Sequence, residues 1–320
     1  MATALGIVGF GIMGERLLRA ALVHDPAVIR VAAVWDPSPA ASARLAEVAP
    51  GVPMLAGAAE VIAACDALYV ASPPASHLAH AGAALDAGRA VFIEKPLASD
   101  LPAARAFVAA AESRRARAAV NFPMASSPAV AQLSAWRREI GTPRTLHIHA
   151  EFAAWPRAWQ AAAASWLAKR AEGGFTREVL SHFLFLTRRQ LGPLVVESRA
   201  ADFPPGDGAE TAVRARLLAG GVPVELSGSV GTTAQDERNE WRLECEGGAI
   251  RLRDWSVAER LRPGGFAPSP DALPNERMRP LVLKGQLDKL AALTRGEAAD
   301  LATLREALEV QEAAEAILGA

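Results

Sequence analysis

Residues 92–100 read FIEKPLASD. Lys95 is one of only four lysines among the chain's 34 lysine and arginine residues, the others being Lys169, Lys284 and Lys289. A cation needed only for solubility would follow the chain's arginine habit. Lysine carries a compact ammonium whose pKa falls readily on burial, so it can give and take protons where a guanidinium cannot. Lys95, at the end of an apolar run, is therefore a candidate catalytic group. Alternation along a strand sends Glu94 and Lys95 to opposite faces, which argues against a simple ion pair between them.

A second constellation supplies something for such a lysine to act on. The stretch GIVGFGIMGERLLRA sets Gly9, Gly11 and Gly14 in G-x-G-x-x-G spacing between a strand and a helix. The first glycine permits a tight turn, the second lets a pyrophosphate approach the backbone, and the third lets helix and strand pack closely. The helix opening at Ile12 and Met13 offers N–H groups and partial positive charge to the phosphates. Asp36 ends the next strand-like run, 22 residues after Gly14, where a carboxylate can hold ribose hydroxyls. The expected cofactor is NAD(P), with NAD preferred because a carboxylate repels a 2′-phosphate. Arg44, a turn or two into the following helix, is the cation that could reach such a phosphate.

Further along, ASPPASHLAH puts Ser72 and Pro73 at a strand's carboxyl end, where open α/β sheets bind ligands. His77 and His80 follow one helical turn apart. Helix-start packing is the first reading for His77, and proximity to the nicotinamide end of a cofactor the second. TLHIHAEF places His147, His149 and Glu151 on one strand face, a spacing strained for three metal ligands. No metal is expected. No G-x-S-x-G elbow occurs, so a Ser/His/Asp hydrolase is unsupported.

The elements that must position these residues follow from periodicity. Residues 1–122 alternate short apolar runs (4–10, 29–36, 67–72, 90–94, 117–122) with amphipathic helical ones. That pattern predicts a parallel sheet covered on both faces, the doubly wound α/β fold of a dinucleotide-binding domain. From residue 123 to 320 the grammar changes. Helical stretches at 127–140, 157–170 and 176–191 surround the strand 145–152, and period-two strands then run from 194 to 255 with Gly-Gly turns. This predicts an α+β domain with a large, mostly antiparallel sheet. A Pro/Gly-rich loop (262–280) precedes two closing helices within 281–318.

Composition narrows the classes. The 320 residues are 51% apolar with a formal net charge of −1, which gives no electrostatic footprint for nucleic acid or an anionic membrane. No uncharged, strongly apolar stretch reaches about 18 residues, so no membrane span is expected. Cys65 and Cys245 form no C-x-x-C pair, as in a reducing compartment. The N-terminus has no basic region and cleavage site. A cytoplasmic protein is expected.

Taken together, G-F-G-I-M-G, Asp36, SPPASH, Glu94-Lys95-Pro96 and EGGFTREVLSH (172–182) resemble the Gfo/Idh/MocA family of NAD(P)-dependent oxidoreductases. The resemblance implies a Rossmann domain followed by an open-faced α/β domain that carries much of the substrate pocket. Homodimers or homotetramers through that second sheet are implied too. It assigns Lys95 to the reacting group and His182 to acid/base work, with Glu178 four residues earlier on the same helix. Ser72, Pro73, His77, Glu94 and Lys95 border the cofactor, and Trp166 borders the substrate. Glu178 stands where relatives carry aspartate, Leu180 where they carry glycine, Phe185 where they carry aspartate, and Ala125 where many carry arginine. Those departures point away from a polyol, to a substrate less polar or differently charged. The expected activity is hydride transfer between nicotinamide and a C–OH/C=O centre of a small molecule. Reduction of a C=N bond and NAD(P) sensing without catalysis are the alternatives.

Overall fold

Residues with nearly continuous apolar runs can form strands only where both faces of a sheet are covered. Here β1 (Thr3–Val8) and the later strands β3 (Ala67–Val70) and β4 (Ala90–Glu94) are buried at every position. Between and around them run α1 (Ile12–Leu22), β2 (Ile29–Trp35), α2 (Pro39–Val48), α3 (Ala58–Ala64), α4 (Pro74–Asp86), α5 (Leu101–Ser113) and β5 (Ala118–Asn121). The computed structural model describes residues 1–319.

These strands form a parallel five-stranded sheet in the order β2-β1-β3-β4-β5. A single parallel bridge from Val34 to Met54 stands outside β2. Counting that bridge as a vestigial strand restores the standard Rossmann order, whose reversal point falls between β1 and β3. Helix starts obey local chemistry. The Asp100 side chain caps α5 by accepting the Ala103 N–H at 2.8 Å, and Pro102 occupies the first turn, where its missing N–H costs nothing.

The second sheet has eight strands: β6 (Pro143–Phe152), β7 (Leu194–Asp202), β8 (Ala212–Ala219), β9 (Val222–Val230), β10 (Glu237–Cys245), β11 (Gly248–Arg253), β12 (Val257–Arg262) and β13 (Gly265–Pro268). Their order is β13-β12-β11-β10-β6-β9-β8-β7, antiparallel throughout except between β6 and β9. Along β6, Leu146, Ile148, Ala150 and Phe152 are buried while His147, His149 and Glu151 alternate to the other face. The helices of this half are α6 (Pro128–Glu139), the single turn α7 (Ala164–Leu167), and α8 (Ser181–Leu191), which a π-wound turn at Thr176–Leu180 precedes. On α8, Phe183, Leu184, Phe185 and Leu186 are buried. Thr187 accepts the Trp241 indole N–H at 2.9 Å, tying helix to sheet at a fully buried point.

Two predicted elements differ. The stretch 157–170 is largely a 3₁₀ segment (Ala158–Ala163) and one α-turn. The Arg157 and Gln160 side chains bond each other three residues apart and close the tighter winding, overriding alanine's helix preference. The loop 262–280 contains the β12–β13 pairing and the start of α9 (Asn275–Thr294), which α10 (Leu304–Leu318) follows.

The compact units are not contiguous in sequence. Met1–Ala125 forms one together with Val282–Leu308, and Ser126–Leu281 forms the other with residues from Glu309 onward. The closing helices therefore do not both fall to the second half, as the sequence boundary at 122/123 placed them. Leu283, Leu287, Leu290 and Leu301 complete the core built on β1 to β5.

Thr187→Val keeps the volume at the helix–sheet tie but strands the buried Trp241 N–H. The expected cost is about 1–3 kcal/mol, read from the urea midpoint with an unchanged m-value.

Candidate active site

The glycine turn joins β1 to α1 at the reversal point of the first sheet. Gly9 has φ +93°, and a Cβ there would lie 2.4 Å from Ala71 C and Ser72 N. A Cβ on Gly14 would lie 2.1 Å from the Gly9 carbonyl oxygen. Both positions are closed to any side chain by the protein itself. Gly11 differs, since a Cβ there would meet no protein atom within 4 Å. Protein packing does not demand glycine at that point, while a pyrophosphate lying against the α1 N-terminus would. The residues present therefore fit a dinucleotide, with Ile12 and Met13 half-buried at the helix start.

Asp36 sits at the end of β2. Its Oδ2 accepts the Phe10 N–H at 2.7 Å and its Oδ1 the Ser38 N–H at 2.8 Å. The carboxylate thus fixes the glycine turn. Arg44 donates to both oxygens of Glu15 at 2.8 Å and to Glu47 at 3.0 Å. Arg44's bonds to Glu15 first, and then that of Arg19 at 2.8 Å, hold the Glu15 carboxyl below its ordinary pKa. The cation that might have met a 2′-phosphate is engaged by carboxylates.

At the ends of β3 and β4 the sequence candidates separate into two groups. Lys95 is half-buried just beyond β4, its peptide bond to Pro96 cis. Ser72 is half-buried, its Oγ accepting from Ser76 at 2.7 Å, and Pro73 is exposed at the start of α4. Glu94 turns inward instead. It is 6% exposed, and its Oε1 accepts from the Tyr69 hydroxyl and, at 2.6 Å, from Asn121 Nδ2, while Gln286 donates to Asn121. Burial first, and then the Glu94 carboxylate, push the Tyr69 phenol well above its ordinary pKa. Glu94 therefore ties the ends of β3, β4 and β5 together.

His77 is also buried. It is 1% exposed, with Nδ1 at 2.9 Å from the Pro96 carbonyl and Nε2 at 2.7 Å from the Ser72 carbonyl. Burial lowers its pKa, and a neutral ring donates to one of those two oxygens. Both nitrogens face backbone carbonyls. His77 links the residue after Lys95 to the edge that Gly9 touches.

In the second unit, EGGF forms the turn that launches the His182 helix. Gly174 has φ +96°, and a Cβ there would collide with the Glu210 carboxylate at 2.0 Å. Glu210 Oε1 accepts the Thr176 N–H at 2.7 Å. Arg177 pairs both carboxylate oxygens of Glu315 at 2.7 Å and donates to the Arg170 and Gly173 carbonyls at 2.8 Å, all largely out of water. Glu178 is half-buried on the π-wound turn, and His182 is 8% exposed in the first turn of α8. The winding changes between them, so the expected i, i+4 helix spacing spans a π-to-α junction, a feature common at functional sites. Trp166 is half-buried in the short turn before EGG.

Sequence reasoning missed three participants. Glu210 and Arg177 carry no pattern that marks them. Trp255 lies in the β11–β12 turn with its ring centroid 5.4 Å from that of His182. Leu180 and Phe185 are 0% and 1% exposed, residues of the core. His147 Nδ1 lies 3.4 Å from Glu225 and His149 Nδ1 2.8 Å from the Ser227 hydroxyl. Among the described residues, no three His, Cys, Asp or Glu side chains are arranged to hold a metal, and no helix is long and apolar enough to cross a membrane.

A parallel sheet in Rossmann order, closed at Gly9 and Gly14 and open at Gly11, defines a dinucleotide-binding α/β oxidoreductase fold. Residues 3–122 match the Gfo/Idh/MocA model, described as "Oxidoreductase family, NAD-binding Rossmann fold". Solved structures extend the likeness of fold to nearly the whole chain. An oxidoreductase from Agrobacterium radiobacter in complex with NAD⁺, L-tartaric acid and magnesium is 18% identical, with a TM-score of 0.81 over 99% of this chain and 95% of its own. UDP-N-acetylglucosamine 3-dehydrogenase from Acidithiobacillus ferrooxidans is 18% identical, with a TM-score of 0.78 over 99% and 97%. Apo scyllo-inositol dehydrogenase from Lactobacillus casei is 17% identical, with a TM-score of 0.78 over 99% and 95%. No curated protein sequence matches.

Burial raises the pKa of Glu210. The native state then holds its proton above the ordinary carboxyl range, and stability is lost as pH rises through the raised native value. Glu210→Gln keeps an acceptor for Thr176 and removes that loss. Its thermal advantage over the parent is expected to grow between about pH 4 and about pH 8; a pH-independent difference would refute the assignment.

Proposed function

We propose that this chain is an NAD-dependent dehydrogenase acting on a C–OH/C=O centre of a small polyhydroxylated molecule, a sugar or cyclitol. The observation that carries the reading is the glycine turn, shut by protein atoms at Gly9 and Gly14 and vacant at Gly11. Asp36, with Arg44 already committed to Glu15, supports NAD over NADP. Bound nicotinamide would supply the hydride acceptor or donor. The chain's own residues must then orient the substrate and move the accompanying proton.

In this reading the Lys95 ammonium stabilises the developing alkoxide or donates to it, and the His182 imidazole takes or gives the proton. Both roles rest on the resemblance of Glu94-Lys95-Pro96 and the EGG-to-His182 segment to the family's motifs. Glu178 is the carboxylate nearest in sequence that can orient His182, and Trp166 borders the substrate. Self-association through the exposed face of the eight-stranded sheet, as homodimer or homotetramer, belongs to the same proposal. Its support is the polar, half-exposed row of His147, His149 and Glu151 on that face.

A panel of cyclitols, sugars, hydroxy acids and imines, followed by nicotinamide absorbance with NAD and NADP in parallel, tests the reading. Turnover with a hydroxylated substrate is expected. Lys95→Ala and His182→Asn should each lower kcat by about 10²–10⁴-fold while NADH still binds. NADH binding without turnover by any compound, and indifference to both substitutions, would replace the enzyme with a nucleotide sensor. Asp36→Asn should narrow the NADH-over-NADPH preference in dissociation constant by about tenfold or more, as loss of a charge-assisted hydrogen bond predicts.

A further inference from the structure

The turn between β11 and β12 consists of Asp254, Trp255 and Ser256, and its first two residues have φ of +49° and +70°. Left-handed backbone is common for glycine and asparagine but an outlier for a bulky side chain. Such strain persists only where the surroundings over-determine it, and it clusters at functional sites. Nothing in the chemistry of a hairpin turn calls for tryptophan there, so the ring itself must be what the position is for.

The surroundings are specific. The Trp255 backbone N–H donates to Asn239 Oδ1 at 3.0 Å, and the indole Nε1–H donates to Glu237 Oε1 at 2.7 Å. Glu237 is itself held, its Oε2 accepting from Arg157 at 2.6 Å, and Arg157 bonds Gln160 at 2.9 Å. The indole packs on Phe183 with centroids 5.2 Å apart and meets His182 at 5.4 Å, in a T-shaped pair at 79°. A T-shaped pair sets the positive edge of one ring against the negative face of the other and so favours one mutual orientation. An acid/base imidazole must present a chosen nitrogen to the substrate, and a neighbour that fixes ring orientation acts on that requirement directly.

We propose that Trp255 is the positioning residue for His182: a strained hairpin residue, pinned by Asn239 and Glu237, whose indole sets the orientation of the imidazole. The proposal rests on the reading of His182 as the acid/base group. It adds that the Arg157–Glu237–Trp255 chain belongs to the working part of the site and not to general core packing.

The test uses full-length protein labelled with ¹³C-histidine, its six histidine ring signals sorted by His182→Asn. Asparagine tolerates the left-handed backbone, so Trp255→Asn relieves strain while removing the indole. The His182 ring signal is expected to move while the other histidine signals stay. With a substrate found in the panel, kcat should fall about tenfold or more at an unchanged NADH dissociation constant. Trp255→Phe, which retains an aromatic edge but loses the bond to Glu237, should move the signal less and recover most of kcat. An unmoved His182 signal in whichever of the two variants folds overturns the proposal. So does a kcat within about twofold of the parent in Trp255→Asn when His182→Asn is inactive. A signal that moves by more than the loss of the indole's own ring current supports the positioning role even if His182→Asn keeps full turnover, and that result would instead remove His182 from the proposed chemistry; a shift that the ring current alone accounts for overturns it.

Discussion

Backbone meets backbone at the first turn of the nucleotide-binding unit, and that approach governs what surrounds it. Gly9 lies against Ala71 and Ser72, and Gly14 against Gly9, at distances that admit no side chain. The contact brings the N-terminus of α1 to the point where the strand order reverses. There a Cβ on Gly11 would meet no protein atom within 4 Å. Lys95 leaves the same sheet two strands away, and its immediate surroundings are braced from inside. Glu94 gathers Tyr69 and Asn121 behind it, and His77 holds the carbonyl that follows it. Residues that looked like cofactor contacts in sequence turn out to make the frame rigid for those that remain candidates.

The second unit uses charge where the first uses close packing. A paired arginine and carboxylate taken out of water contribute little net stability, but removing one partner is costly, so such pairs select one arrangement. Arg177 and Glu315 do this for the turn that launches α8, and Glu210 supports the same turn from the side of Gly174. The helix carrying His182 is thus seated by three groups with no partner role in a reaction. The π-wound turn allows the chain to leave that seat and enter α8 without breaking its hydrogen bonding.

Legibility in the sequence followed the strength of the local signal. The parallel sheet was readable because its strands are apolar at every position. The eight-stranded sheet was readable because alternation along β6, β8 and β10 is nearly perfect. The glycine turn and Asp36 were readable because each residue type answers a local steric or charge requirement. The inward turn of Glu94 was not legible because motif position says that a residue is constrained, but not which way its side chain faces. The segment after Trp155 was misread because alanine's helix preference is weak beside a side-chain bond such as Arg157–Gln160. Trp255 was invisible because its meaning depends on a residue some seventy positions away that only the folded sheet brings near.

The interleaving of the two units has a consequence for how such a chain can be cut or recombined. Leu283, Leu287, Leu290 and Leu301 arrive late in the sequence yet fill the interior built by the first 125 residues. A gene fragment that ends at the first boundary would expose the apolar surface those leucines cover. Trading the nucleotide half for a relative's requires three crossovers, one near residue 125 and a matched pair around 282 and 308. Inheritance of the two halves is therefore coupled, and cofactor specificity cannot be grafted by a single splice.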